Sequence, residues 1–343
     1  MSNQGENVHL TLRSIREDQP GSGWQALFEM HWPAYQQWFL SEGALARPGY
    51  TTSRKKLGQC MPELLPTYER LIDLTGGGDL AARFLSLYCP PPFISGCSQA
   101  VWSRHRPMLV RNYDYGPHFF EGTLLYTNWH RPVIAMSDCL WGVLDGINAA
   151  GLTVSLSFGG RKVAGKGFGI PLILRYILET CEDIASAAKI LRRVPTHMSY
   201  NVTMVERNGA FATAYVSPDR PTMIVDTPIS TNHQQSIEWA SYAQMTATVE
   251  RQEFLANRLA DPQETASSFI HRFLQPPLYY TQYERAFGTL YTVVYYPLTG
   301  TIEHIWPNHL RLHQSFTHFQ EQTTRLHLRK RGGAVVQWNR KVI

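Results

Sequence analysis

The pattern of apolar and polar positions changes near residue 96. Before that point, apolar side chains recur every three or four residues over 24–40, 60–74 and 80–88, the spacing of helices that bury one face. After it, short apolar stretches alternate with polar residues and end at turn-forming ones, as β-strands do. We therefore predict a helical segment over residues 1–96 and a sheet-rich region over residues 97–343.

The later region predicts antiparallel sheets covered by helices. Pairs of strand patterns flank short turns in 98–112 and 289–306, which indicates hairpins. Apolar residues over 170–191 fit one long helix, and further helices are predicted over 237–259 and 262–274. Strand groups joined by hairpins and interrupted by helices are typical of an α+β fold.

The junction between the two regions has its own signature. Three consecutive prolines at 90–92 prevent the preceding helix from continuing. Residues 93–95 are then predicted to run extended into Gly96 and Cys97. The sequence thus indicates a change of role at residue 96 rather than a flexible linker.

The composition is that of a globular protein, with 43% hydrophobic and 17% charged residues in a chain of 343. The net charge of +5 comes from scattered basic side chains, so nucleic-acid binding is not expected. No apolar run has the length of a membrane span or the form of a secretory signal, so no membrane association is expected. The five cysteines are an odd number without a CxxC pair, which predicts reduced thiols in the cytoplasm.

The strongest local candidate for chemistry combines two short segments, Gly96-Cys97-Ser98 and Arg111-Asn112-Tyr113-Asp114. If they lie on the paired strands of one hairpin, Arg111 stands beside the Cys97 thiol, and a nearby cation favours the nucleophilic thiolate. Asp114 is placed to orient an ammonium. On the residues alone, an exposed Arg–Asp pair on a strand surface is the commoner explanation.

Five motifs that follow one another in order make the chain resemble a known enzyme family. They are Gly96-Cys97-Ser98, Arg111-Asn112-Tyr113-Asp114, Asp145-Gly146-Ile147-Asn148-Ala149-Ala150-Gly151-Leu152, Ser230-Thr231-Asn232-His233 and Thr289-Leu290-Tyr291-Thr292-Val293-Val294. The sequence is similar to the cysteine branch of the N-terminal-nucleophile (Ntn) hydrolases, in particular the acyl-coenzyme A:6-aminopenicillanic-acid acyltransferase family. Relatives of that family include the choloylglycine (bile-salt) and penicillin V hydrolases.

The resemblance implies a four-layer αββα sandwich whose precursor is cut between Gly96 and Cys97. Residues 1–96 would become a small chain, and residues 97–343 a catalytic large chain that starts with both a thiol and an α-amine. An unperturbed α-amine has a pKa of about 7.7–8.0, so it can serve as the base for its own thiol.

The resemblance also assigns roles within the site. Arg111 would hold the thiolate of Cys97, and Asp114 would hold the α-amine. The Asn232 side chain would donate to the oxyanion, with the backbone N–H of Phe158 as the second donor. These groups predict an acyl-Cys97 intermediate formed from an amide or a thioester and resolved by water or an amine.

The implied partners are a small acyl substrate, with acyl-coenzyme A among the candidates, and the small and large chains of one precursor. No cofactor is expected. No metal is expected either, because His309 and His313 have the spacing of a zinc-binding pair but not the glutamate that would stand next to the first histidine. The alternatives are a catalytically inert Ntn-fold binding or structural protein and a peptidase-like amidase that acts on a small amino-acid conjugate. His233 could form a Cys–His pair, but the resemblance gives it no base role, and a packed or turn-forming histidine is the commoner explanation. The oligomeric state, a homo-oligomer included, stays open.

Overall fold

A computed structural model describes residues 8–285, 287–307 and 309–328. The α-helices are α1 (Ser22–Phe39), α2 (Tyr50–Cys60), α3 (Leu65–Leu74), α4 (Asp79–Leu85), α5 (Ile170–Thr180), α6 (Ile184–Arg193), α7 (Ala240–Met245), α8 (Thr248–Ala260) and α9 (Ala266–Arg272). Among the described helices, none combines the length and the apolar character that crossing a membrane requires.

The described strands form two sheets. They are β1 (Val8–Glu17), β2 (Gly96–Trp102), β3 (Met108–Tyr115), β4 (Thr123–Asn128), β5 (Pro132–Asp138), β6 (Gly142–Asn148), β7 (Thr153–Phe158), β8 (Tyr200–Val205), β9 (Phe211–Ser217), β10 (Arg220–Val225), β11 (Ile229–Ser230), β12 (Thr281–Gln282), β13 (Phe287–Tyr296), β14 (Thr301–Ile305), β15 (Arg311–Ser315) and β16 (Gln322–Leu328). The larger sheet has the order β10-β9-β8-β7-β6-β5-β4-β1-β16, and the smaller has the order β11-β2-β3-β13-β14-β15, with β12 also paired to β13.

The two sheets pack face to face, and each carries helices on its outer side. α5 and α6 cover the larger sheet, over β5 to β7 and over β9 and β10 respectively. α8 packs on β2 and β11 of the smaller sheet, and Phe269 of α9 packs against Trp102 of β2. The layers are therefore helix, sheet, sheet and helix, which confirms the αββα sandwich expected for the later region.

The segment before residue 96 is not purely helical, which corrects the sequence prediction. β1 lies inside the larger sheet, antiparallel to β16 on one side and parallel to β4 on the other. Its signal is a short alternation that buries Leu10 and Leu12. β16 offers only Leu326 and Leu328 amid polar residues. It becomes a strand through pairing with β1, a long-range effect that local pattern does not show.

Two helices predicted as continuous are each broken into two. The 170–191 helix ends at Thr180, and α6 starts anew where the Asp183 side chain accepts a hydrogen bond from the Ser186 N–H at 2.7 Å. The 237–259 helix is interrupted at Ala247, which has a left-handed φ of 45°. One capping aspartate or one left-handed residue leaves the apolar spacing intact, so the pattern alone does not reveal the break.

A buried ion pair joins the two sheets. Arg111 of β3 donates through Nη1 to Asp145 of β6, and both side chains are completely buried. The same carboxylate accepts from the hydroxyls of Tyr291, at 2.6 Å, and Tyr295, both on β13. Charges removed from water need this degree of pairing and hydrogen bonding. The distance between the sheets is therefore linked to the position of Arg111.

The helices before residue 96 are hydrogen-bonded to the rest of the molecule in buried and half-buried places. Trp24 Nε1 donates to the Leu140 carbonyl at 2.9 Å. The Tyr35 hydroxyl donates to Glu121 at 2.6 Å and accepts from the Cys139 N–H at 2.8 Å. Because these bonds cross the junction, the N-terminal segment is part of the folded core.

Tyr35→Phe removes the hydroxyl that accepts from the Cys139 N–H and donates to Glu121. We expect the free energy of unfolding to fall by about 1–3 kcal/mol, the cost of a buried unsatisfied group. The measurement is urea denaturation in the Cys97→Ala background, where the predicted cut should not occur and the protein stays one chain. Tyr215→Phe is the matched control, because the Tyr215 hydroxyl is not hydrogen-bonded to any residue that the structure describes. It should change the free energy by less than about 0.5 kcal/mol. Equal losses would contradict the role given to Tyr35.

Asp145→Asn leaves the buried Arg111 cation unpaired. We expect the free energy of unfolding to fall by about 3–5 kcal/mol. Asp219→Asn is the control at the surface, where Arg161 keeps a second carboxylate from Glu238, and its loss should be about 1 kcal/mol or less. If the two variants lose equal stability, the buried pair is not what holds the sheets together.

Candidate active site

Cys97 lies on β2, the strand that begins at the predicted cleavage site. β2 pairs with β3 so that Gly96 stands opposite Asp114 and Cys97 opposite Tyr113, as the predicted hairpin requires. All five cysteines are free thiols, and Cys97 is completely buried. A Cβ atom on Gly96 would lie 2.4 Å from the Phe287 ring. Only glycine fits this close approach without a shift of its neighbours.

The Arg111 guanidinium reaches the Cys97 thiol directly. Its Nη2 donates to Sγ at 3.2 Å, while Nη1 is held by Asp145 and by the Tyr291 hydroxyl oxygen at 2.9 Å. Burial raises the pKa of the thiol, and the guanidinium acts against that rise. In the uncut chain the thiol is therefore mainly protonated at neutral pH. A guanidinium at this distance favours the thiolate over the thiol.

Asp114 carries one acceptor that is not hydrogen-bonded. Its Oδ1 accepts from Thr289 Oγ1 at 2.6 Å. Its Oδ2 has no hydrogen-bond partner among the described residues and lies 3.7 Å from Arg251 Nη1. Burial raises the pKa of this carboxyl to about 6. Because Asp114 stands opposite Gly96, Oδ2 is a suitable acceptor for an ammonium at the start of a chain that begins with Cys97.

The Asn232 side chain contacts the backbone on both sides of Gly96. Its Oδ1 accepts from the Cys97 N–H at 3.0 Å, and its Nδ2 donates to the Ser95 carbonyl at 3.4 Å. The backbone N–H of Asn232 donates to Thr248 Oγ1 at 2.7 Å, which ties the loop after β11 to the first turn of α8. An amide held in this way presents an N–H donor next to the peptide bond that would be cut.

Phe158 is adjacent to the site but presents its carbonyl group to Asn232. The carbonyl oxygen accepts from Asn232 Nδ2 at 3.3 Å. Phe158 is the last residue of β7, in register with Tyr200 of β8, and its ring packs edge-on against Tyr242. The donor role of the Phe158 N–H stays a prediction.

His233, the candidate for a Cys–His pair, is hydrogen-bonded elsewhere. Its Nδ1 lies 2.9 Å from Thr248 Oγ1, and burial lowers its pKa. His304 packs against the Tyr291 ring at a centroid distance of 5.4 Å. In the part of the chain that the structure describes, no group of three or more His, Cys, Asp and Glu side chains is arranged to hold a metal ion.

The site contains two further buried charged residues, to which the sequence alone gave no role. Arg251 of α8 donates to the Cys97 carbonyl and to Asn232 Oδ1, both at 2.7 Å. Asp145 orients Arg111 from the opposite sheet. A charged residue among apolar ones is the pattern that could have pointed to them. Arg251 shares the buried face of α8 with Leu255, and Asp145 lies within the fully buried strand β6.

The segment before Cys97 is held against the site. The Ser95 carbonyl accepts from the Tyr242 hydroxyl at 2.9 Å as well as from Asn232. Phe93 packs near Tyr200, with ring centroids 6.0 Å apart. Since Cys97 has no exposed surface, a substrate can reach the thiol only after part of its surroundings moves.

Comparisons with known proteins identify one family. Residues 102–311 match the family described as acyl-coenzyme A:6-aminopenicillanic acid acyl-transferase, and no curated protein matches the sequence. A solved penicillin V acylase from Agrobacterium tumefaciens is 13% identical, with a TM-score of 0.45 over 64% of this chain and 86% of the acylase. A mutant conjugated bile acid hydrolase from Clostridium perfringens is 11% identical, with a TM-score of 0.45 over 71% and 100%. The Caenorhabditis elegans ortholog of N-acylethanolamine-hydrolyzing acid amidase is 13% identical, with a TM-score of 0.41 over 67% and 99%.

The family match covers more than half of the chain, from the last residue of β2 into β15. It includes Arg111, Asp114 and Asn232, and Cys97 precedes its first residue by five positions. The two packed sheets with outer helices are the Ntn-hydrolase fold that the motifs implied. The chain therefore belongs to the acyl-coenzyme A:6-aminopenicillanic acid acyl-transferase family.

Proposed function

We propose that this protein activates itself by cutting its chain between Gly96 and Cys97 and then transfers acyl groups through Cys97. The observation that carries the proposal is the 3.2 Å contact between Arg111 Nη2 and the Cys97 thiol, beside a backbone segment that Asn232 contacts on both sides. A nucleophile, a cation that stabilises its anion and an N–H donor meet at one backbone position.

The cut requires no group outside the chain other than water. Sγ of Cys97 attacks the carbonyl carbon of Gly96, and the C–N bond between the two residues breaks. The departing nitrogen takes the thiol proton and becomes the α-amine of Cys97. The thioester that remains between Gly96 and the thiol is hydrolysed by water to a carboxylate and a free thiol. Asn232 Nδ2 is the side-chain donor near the charge that develops on oxygen.

Turnover uses the same groups with the new amine as base. The α-amine of Cys97 takes the thiol proton, and the thiolate, stabilised by Arg111, attacks the substrate carbonyl. The ammonium returns the proton to the leaving group, and water or an amine then removes the acyl group from Cys97. Asp114, with a pKa of about 6, is mostly ionised at neutral pH and accepts from the ammonium.

The substrates that we propose are small acyl amides and acyl-coenzyme A thioesters. The family description names a thioester donor and an amine acceptor, and the similar solved proteins are named for penicillin V, conjugated bile acids and N-acylethanolamines. The chemistry needs no cofactor, and the small and large chains are expected to stay together. A cytoplasmic location fits the five free cysteines.

Self-cleavage is the first test. Purified protein should contain fragments of 96 and 247 residues by intact mass, with the larger fragment starting at Cys97. Cys97→Ala should remain one chain because its nucleophile is gone, whereas Cys181→Ala, which removes another buried thiol, should still be cut. A chain that turns over acyl substrates with an uncut backbone would falsify the proposal. An uncut chain without activity would favour the inert binding protein.

Removal of the oxyanion donor is the second test. Asn232→Ala should lower kcat on the order of a hundredfold or more, measured as amine or thiol release from a panel of acyl amides and acyl-coenzyme A thioesters. Cleavage should slow as well, because both reactions pass through a tetrahedral centre at Cys97. Asn208→Ala, in an exposed turn, is the control and should match the wild type. Normal turnover by Asn232→Ala would show that this residue is misassigned.

The identity of the base is the third test. His233→Ala should keep most of its activity, and Asp114→Ala should lose most, because Asp114 holds the ammonium of Cys97. The measurement is rate against pH for chains whose cleavage has been checked by mass, which separates lost chemistry from lost maturation. The reverse result, with His233→Ala inactive, would identify an ordinary Cys–His hydrolase.

A further inference from the structure

We infer that Arg251 is a positioning residue, which fixes the Asn232 amide for catalysis and keeps the α-amine of Cys97 in its neutral form. The inference rests on the function proposed above. Arg251 lies in the first turn of α8, and its side chain is completely buried. It acts on the backbone of the nucleophile and on its neighbours, whereas Arg111 acts on the thiol.

Arg251 holds the backbone of the nucleophile in place. Nη1 donates to the Cys97 carbonyl oxygen and to Ser98 Oγ, each at 2.7 Å. Nε donates to the Thr246 carbonyl oxygen at 2.8 Å. These bonds fix the plane of the guanidinium, and with it the position of residue 97 after the bond on its N-terminal side is cut.

The orientation of the Asn232 amide follows from the same guanidinium. Arg251 Nη2 donates to Oδ1 at 2.7 Å, and the Cys97 N–H donates to the same atom at 3.0 Å. Because both partners are donors, only the oxygen end of the amide fits there. Nδ2 must therefore point to the other side, toward the Ser95 carbonyl. That is the direction in which an oxyanion donor is needed.

The cut makes Arg251 the more important of the two donors to Asn232. The Cys97 nitrogen becomes an amine that gains and loses a proton in every turnover, so its N–H direction varies. The guanidinium stays charged and donates throughout. Without it, the oxygen and nitrogen ends of the Asn232 amide, which are nearly the same in shape, can exchange places.

The charge of Arg251 also acts on the new terminus. Among the residues that the structure describes, the ionisable side chains packed round Cys97 include Arg111, Tyr113 and Asp114 on β3, Tyr291 on β13, Tyr242 on α7 and Arg251 on α8. Tyr280 lies over the Arg251 guanidinium, 5.6 Å from Cζ to the ring centroid.

The neutral members of this group do not determine the charge of the amine. Burial raises the pKa of the four tyrosines, and burial lowers that of nearby His233, so all five groups stay uncharged at neutral pH. Asp114 then favours the ammonium and the two arginines oppose it. Arg251 Nη1 donates a hydrogen bond to the carbonyl of Cys97, the residue that becomes the new terminus, and lies 3.7 Å from Asp114 Oδ2. It therefore offsets that carboxylate and favours the neutral amine, the form that accepts the thiol proton.

Arg251→Lys tests the inference because it keeps a charge but loses the planar fork that makes several bonds at once. We expect kcat to fall about tenfold or more, with KM within about twofold, since the loss falls on an oxyanion donor and not on a substrate contact. In the profile of kcat/KM against pH, the acidic limb should move to a higher pH by about one unit. The direction follows because a lysine ammonium that no longer bonds to the Cys97 carbonyl lies farther from the new terminus. It opposes Asp114 less, so Asp114 holds the α-ammonium of Cys97 to a higher pH.

Arg175→Lys is the matched control. Arg175 is equally buried, in α5, and its guanidinium donates to the Trp141 carbonyl and to Thr127 Oγ1, each at 2.8 Å. This variant should lose stability without moving the acidic limb. A purely structural role for Arg251 would make the two lysine variants behave alike, with lower stability and the wild-type pH profile.

The outcomes separate the inference from the function on which it rests. Wild-type protein that neither cuts itself nor turns over any acyl substrate overturns both. An active wild type beside an Arg251→Lys enzyme with unchanged kcat and pH profile overturns the inference alone. If Arg251→Lys yields no folded chain, Ser98→Ala decides, because it removes one acceptor that fixes the guanidinium. It should move the acidic limb in the same direction by a smaller amount, and an unmoved limb overturns the inference.

Discussion

The buried pair of Arg111 and Asp145 is the interaction on which the site depends. It spans the two sheets, so the separation of the sheets and the direction of the guanidinium are fixed together. Two charges removed from water are costly unless they are paired with each other and held by further hydrogen bonds. Here the carboxylate also accepts from Tyr291 and Tyr295, and the guanidinium extends to the Cys97 thiol. A cation held this firmly can favour a thiolate where burial opposes it.

The features that could be predicted from the sequence are those set by short separations. Cys97 and Arg111 are fourteen positions apart in one hairpin, so strand alternation and one turn bring them together. The fold class followed from hairpins and helices of recognisable period. Asn232 is different, because it reaches Cys97 from 135 positions away. Only the resemblance in the ordered motifs pointed to it.

The features that could not be predicted depend on contacts between distant elements. Arg251 looks like an ordinary helical arginine until the buried face of α8 is known to rest on β2 and β11. Asp145 stands out in the sequence as a charge in an apolar stretch, but its partner Arg111 is known only once the second sheet is in place. Which backbone group of Phe158 faces Asn232 depends on the register of β7 against β8, and no local pattern fixes a register between strands so far apart in sequence.

The position of β1 between β4 and β16 has a consequence for the two-chain product. If the proposed cut occurs, the small chain supplies an interior strand to a sheet that the large chain builds on both sides of it. Loss of that strand would leave two open edges, and open edges pair with other chains. The small and large chains are therefore expected to associate as complementary fragments. A molecule that unfolds before the cut refolds by itself, but one that unfolds afterwards must find its partner in solution, so its recovery depends on concentration.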